Sequence, residues 1–289
     1  MRPDHRIPHG TSPPVRQRPA YSAYRSVPAT GLHLHARYLL MRIKVRLAYR
    51  GDFLLNAAGD LLVATIGIVF LWAIFRHVPD IRGWSFSEVL FIWGLAETAT
   101  GLFFVLFQGL WHVNQRYLLQ GEMDRVLLRP MDPYLQVLLD NINIEDLPVG
   151  MLGLAMMAMA LQGLPPIDLL QWVMLPIIIL SSVAILGGVL TAVSSVGFRI
   201  HHRGTAVGLV YQGAIFNRYP LDVFPRPMQR LLTFGLPFAF TSFYPATWYL
   251  GRTEWLGYAF AQPLVGLAVL VVGVTLWKRG LHSYRSPGS

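Results

Sequence analysis

Two acids stand inside apolar runs of this chain: Asp60, in "FLLNAAGDLLVATIGIVFLWAIF" (53–75), and Glu97, in a run ending "GLFFVLFQGL" (101–110). A carboxylate at membrane depth costs at least about 2.5 kcal/mol, so each should face protein or water. They could line a polar path through the protein, or simply bond one helix to another. Other chemistry finds little support. A P-loop needs lysine followed by Ser or Thr after a glycine-rich run. The only lysines are Lys44, followed by Val45, and Lys278, followed by Arg279. No HExxH zinc motif or GxSxG nucleophile elbow occurs, and there is no cysteine. His201 and His202 are adjacent, which puts them on different helix faces and suits a solvated turn better than a metal site.

The second concentration of reactive types is "GEMDRVLLRPMDPYLQVLL" (121–139), where charges interrupt a greasy chain. Leu119, Met123, Val126 and Leu127 share one helical face, while Glu122, Asp124 and Arg125 point elsewhere. Pro130 ends that helix, because the residue before a proline is pushed out of the helical region. Asp132 then caps a new helix with Pro133 at its first position. The prediction is a bent pair of helices joined rigidly to the apolar runs on either side. It could transmit a push or merely shield them.

The elements that must position these residues are apolar. Of 289 residues, 54% are hydrophobic and 13% charged, against about 25% charged in soluble domains. Runs of about 20 residues nearly free of charge read as membrane spans. They fall at about 53–75, 87–110, 148–164, 169–193 and 257–277, with a shorter stretch at 205–217. The segment 230–246 is broken by Pro237 and Pro245, and its length fits a re-entrant hairpin. Such irregular backbone survives at depth only where protein or a watery cavity covers it. Gly204 and Gly208 make a GxxxG that permits close helix contact.

Arginine and lysine counts set the orientation. With the N-terminus inside, 18 basic residues lie inside and six outside; the four at Arg218, Arg226, Arg230 and Arg252 oppose the assignment. Residues 1–33 form a basic, Pro- and Ser-rich tail expected to be disordered. Residues 34–50 alternate Arg or Lys with Leu, Ile and Val, as in a helix lying on the membrane surface. The net charge is +9, and ten of the 24 basic residues lie within the first 50 positions beside a membrane span, which favours an anionic lipid face over nucleic acid.

Three stretches carry a family resemblance: "ARYLLMRIKVRLAYRGDFLL" (36–55), "GEMDRVLLRPMDPYLQVLL" (121–139) and "NRYPLDVFPRPMQRLLTFGLPFAFTSFYPATWYLGR" (217–252). With the span pattern they resemble bacterial type-2 ATP-binding-cassette (ABC) permeases, in particular a six-span subfamily partnered with a separate ATPase. The resemblance implies an all-α integral membrane protein. Six transmembrane helices would include a re-entrant segment before the last, and cytoplasmic coupling helices would join spans 2 and 3. It implies one permease domain over 34–281, a C-terminal tail over 282–289, and both termini in the cytoplasm of an inner-membrane protein. Residues 34–50 would be the connecting helix and 111–147 the coupling segment that docks into the ATPase. Gly121, Glu122, Asp124, Arg125, Arg129, Pro130 and Asp132 become the coupling candidates, and Asp60 and Glu97 candidates for the translocation path.

The expected function is therefore a permease subunit of an exporter. It would itself have no cofactor, because ATP binds the partner ATPase subunits, and it would pair with a second permease chain, identical or related. Two rivals stay open. An ion-coupled secondary transporter predicts internal repeats and several charges at mid-membrane. A membrane enzyme acting on lipids would need clustered His, Asp or Glu at one face.

Overall fold

The structure is a computed structural model that describes residues 31–48, 50–199 and 206–284. The first helices are α1 (Gly31–Ala48), α2 (Arg50–Phe75), α3 (Phe86–Phe107) and α4 (Gly109–His112). Next come α5 (Glu122–Leu127), α6 (Pro133–Asp140), α7 (Leu147–Ala160) and α8 (Leu169–Val196). The last are α9 (Ala206–Gln212), α10 (Arg226–Arg230), α11 (Phe243–Tyr249) and α12 (Leu256–Leu281). Among the described residues the extended pairing is confined to one isolated bridge, Ile81 with Trp84. This is an all-α membrane protein.

Among the described residues, five segments are long and apolar enough to cross a bilayer: Ala57–Phe75, Phe86–Phe107, Ile144–Gly163, Leu169–Val196 and Thr253–Leu281. The sixth predicted stretch, 205–217, differs. Its seven-residue helix α9 passes into six residues of 3-10 helix, Gly213–Arg218. At 1.5 and 2.0 Å per residue these rise roughly 22 Å, less than a hydrocarbon core about 30 Å thick. His201, His202 and Gly204 lie outside the described residues, as do 1–30 of the predicted tail and 285–289.

The long helices start where local chemistry tells them to. Ser85 caps α3 in a reciprocal box: Glu88 N–H donates to Ser85 Oγ, and Ser85 N–H donates to Glu88 Oε2 at 2.8 Å. Asp168 and Gln171 do the same for α8. Each box satisfies donors that a helix start otherwise leaves bare.

Two helix pairs form the bundle, and glycine sets both seams. Between α3 and α7, Gly101 lies so close to Gly150 that a Cβ would sit 2.4 Å from the Gly150 nitrogen, and Gly153 abuts Thr98 as tightly. Between α8 and α12, Gly266, Gly273 and Gly280 recur every seventh residue against the Ser181, Gly188 and Ser195 carbonyls. Backbones that approach this closely gain contact without help from water exclusion, which is absent in lipid. The two pairs meet where the Phe107 ring covers Gly187. On α2, in contrast, Leu55, Leu62, Val63, Ile66 and Phe70 are more than half exposed.

Residues 219–255 make a cap of short helices at the end of the bundle that carries the 76–85 loop. Arg82 Nη1 donates to the Asp222 carbonyl at 2.8 Å, and the buried Trp84 indole donates to the Asp222 carboxylate at 2.9 Å. Arg252, thirty residues later, donates to the Gly83 carbonyl at 2.6 Å and pairs with Glu88 at 2.9 Å. Both ends of the segment are thus tied to one loop. Its middle runs inward: the Thr241 carbonyl accepts from Ser182 Oγ at 2.7 Å. Ser182 lies thirteen residues along α8, about 20 Å from its start. The path down and back uses a π-helix (Leu231–Gly235), an extended Leu236, Pro237 and a 3-10 turn (Phe238–Thr241). Aromatic side chains fill the space between, with Trp84 against Phe243 and Trp255, and Tyr244 stacked on Tyr258.

Candidate functional site

The charged segment after α3 is built as a bent arm. Past α4 the chain tightens its hold on length by winding Val113–Leu119 as a π-helix. Gly121 then turns with φ +72°, a left-handed conformation that a side chain would disfavour, and starts α5. Met123 and Val126 are buried, and Leu119 and Leu127 half-buried, on the predicted apolar face. Helix α5 ends at Leu127, before Pro130. Asp132 starts α6 by accepting the Leu135 N–H at 3.0 Å, with Pro133 in the first turn.

Polar contacts fix the bend from inside. Arg116 pairs with Glu122 at 2.6 Å and reaches the Asn141 amide oxygen at 3.3 Å. Asn141 donates in turn to the Tyr117 hydroxyl at 2.8 Å and to the Val137 carbonyl at 2.9 Å. Burial pushes the Tyr117 phenol up to about 12, against a smaller opposing pull from Asn141, so it stays neutral. A second cluster holds α1 to α6. Arg42 pairs with Asp140 at 2.6 Å, and Tyr38 donates to the same carboxylate. Arg129 donates to the Tyr38 hydroxyl at 2.9 Å. The guanidiniums of Arg42 and Arg129 lie over the Tyr38 ring, 5.3 and 5.8 Å from its centre. With its amide oriented to suit its neighbours, Gln136 accepts from Arg129 at 2.9 Å and donates to the Val126 carbonyl.

The coupling candidates therefore divide. Gly121, Glu122, Asp132 and Arg129 shape or brace the arm. Asp124 faces Tyr284, whose phenol is held above its ordinary value by burial first and by this carboxylate second. Arg125, Leu128 and Pro130 are exposed at the tip, Leu128 by 84%. The inner side of the arm reaches the bundle through Tyr134, whose hydroxyl bonds Thr191 at 2.9 Å and whose ring meets Trp277 edge-on. The arm is thereby joined to α8 and α12.

The two path candidates lie on different helices, α2 and α3. Asp60 lies on α2, but its side chain falls outside the described residues. Glu97 is buried on α3 and pairs with Arg218 at 2.9 Å, while the Trp93 indole donates to it at 2.7 Å. Arg218 also lies over the Trp93 ring. Glu97 stands eleven residues into α3, about 17 Å from its start. Arg218, counted among external charges by position in the sequence, thus turns inward to neutralise it. Tyr38, Arg42, Asp140 and Arg218 carry no local pattern that marks them as partners.

Residues 61–288 match the family described as ABC-2 family transporter protein. The chain belongs to that family. No curated protein and no solved structure gives a significant match. As an ABC-2 transporter protein it is a membrane permease subunit of an ABC transporter, and membership implies an ATP-binding-cassette ATPase as its partner.

Proposed function

We propose that this permease is driven by separate ATPase subunits that dock on the arm formed by 111–147, in the cytoplasm, and that it works as an exporter by alternating access. Two permease chains, identical or related, form the translocator in the inner membrane, with both termini inside. Residues 219–255 act as a cap at the outer mouth, with 230–246 as its re-entrant segment. One observation carries this reading: the arm is braced internally by Arg116–Glu122 and Arg42–Asp140, yet presents an apolar side chain, Leu128, almost fully to solvent. A solvated shield needs no such tip, whereas a docking knob does. The neutralisation of Glu97 by Arg218 leaves the described acid at mid-membrane without a free charge for ion coupling, which weighs against a secondary transporter.

The tip supplies the test. Arg125→Glu combined with Leu128→Ala removes the exposed knob without touching the internal braces. Membrane insertion and unfolding should match the parent protein, while ATPase co-purification should fall at least about tenfold. Unchanged co-purification and unchanged ATP hydrolysis by the assembled complex would overturn the coupling assignment.

A further inference from the structure

Two adjoining cavities in the cap region differ in chemistry. The first, about 140 Å³, is lined by Asp222, Arg230, Tyr244, Trp255 and Tyr258, among others. Arg230 is exposed and forms no ion pair among the described residues. The Asp222 carboxylate accepts the Trp84 N–H, and Asp222 is among the residues that line this cavity. Here an arginine, an aspartate and five aromatic residues border one small space. The second cavity, about 570 Å³, is almost wholly apolar and runs between α8 and α12, past Ala192, Leu236, Val265, Ala268 and Val269. Thr233 and Phe234 line both, so the two spaces share a wall. Thr233 is held by Gln229 and Tyr244, while Phe234 is 75% exposed.

Along α12 the pair of cavities extends from Tyr258 to Val272, fourteen residues or roughly 21 Å. That distance leads from an interface past the middle of a hydrocarbon layer about 30 Å thick. The polar cavity lies at the capped end of the helix and the apolar one toward its middle. We propose that together they form a lateral site for one lipid-like amphiphile with a zwitterionic head. Arg230 takes the phosphate by charge-assisted hydrogen bonds. The aromatic rings and Asp222 take the ammonium group, the rings through their negative faces. The alkyl chain lies in the α8–α12 cleft. The site rests on the membrane placement proposed above.

The probe is lysophosphatidylethanolamine, titrated into the full-length protein in neutral detergent and read by native mass spectrometry. The parent protein should bind it more tightly than an uncharged alkyl glucoside with the same chain. Arg230→Ala should weaken binding about tenfold. Ala268→Phe, which fills the cleft from a lipid-facing position, should weaken it by a similar factor. Arg226→Ala, on the same short helix α10 but away from the cavity, should leave it unchanged. Equal affinity for the two amphiphiles, or no effect of Arg230→Ala, overturns the head-group assignment. Loss of self-association by Ala268→Phe, with lysolipid affinity retained, gives the cleft to a second permease copy and also overturns it. The comparison of amphiphiles uses the parent protein, so it decides even if a variant fails to fold. No readout involves the ATPase: failure here leaves the coupling arm intact, and loss of ATPase docking leaves this binding intact.

Discussion

The charged arm and the opposite cap are both made of short, irregular helices, but they are held by different forces. The arm relies on charged and amide groups: Arg116, Glu122, Asn141, Arg42, Asp140 and Arg129 form two linked clusters. Most of these groups are partly exposed, so each pair is screened and individually modest. The cap relies on aromatic rings sealed from solvent, with Trp84, Phe238 and Phe243 at 0–1% exposure. The difference suits their placements. Partly hydrated pairs can loosen and re-form as a partner pushes, whereas interlocked rings in a dense core yield only as a block. The same polypeptide thus has a compliant end and a stiff one.

This contrast should appear first at Trp84. Trp84→Ala removes a fully buried indole, its bond to Asp222 and the ring beneath Arg252. A loss of about 3–5 kcal/mol is expected, measured as a drop in the unfolding midpoint in detergent. A loss under 1 kcal/mol would show that the cap is not the stiff end. Glu97→Gln comes next. It strands Arg218, and because that guanidinium is partly exposed the cost should be about 2 kcal/mol, below the range for wholly buried pairs. Adding Arg218→Gln should recover more than half of it, and a double variant no better than the single would deny the pairing. Asp140→Asn should cost about 1 kcal/mol. Its clearer signature is faster amide exchange in α1, since Asp140 is where Arg42 and Tyr38 meet α6. The tip substitutions at Arg125 and Leu128 should shift stability least, by about 0.5 kcal/mol or less, because they touch nothing buried.

How far these regions could be read in advance depended on how local their causes are. Asp132 and Pro133 announce a helix start by residue type alone, and α6 begins there. Met123 and Val126 announce a buried face by spacing, and both are buried. Arg42 shows the limit. Helical periodicity placed it on a basic face of a surface helix, but its partner Asp140 is 98 residues away, a distance that no periodic pattern spans. The same holds for Trp84 with Asp222 and for Arg218 with Glu97. Arg218 also shows why counting charges between spans can mislead: the count assigns a side by position, while a long side chain can fold back into the bundle. The π-helix at Val113–Leu119 had no composition cue.

The glycines at 266, 273 and 280 have a mechanical corollary. An ideal α-helix drifts by about 20° over seven residues, so a stripe repeating every seventh position stays in register with a neighbour only if the two helices wind about each other. Each of these glycines straddles a carbonyl of α8, and a straight slide of one helix along the other would drive Cα atoms into backbone oxygens. Helices α8 and α12 are therefore threaded like the strands of a rope and can travel only together. Helices α3 and α7, locked through Gly101 and Gly150, make a second such body. Between the two bodies Phe107 packs against Gly187, and the alternating access proposed above would have to open along that plane.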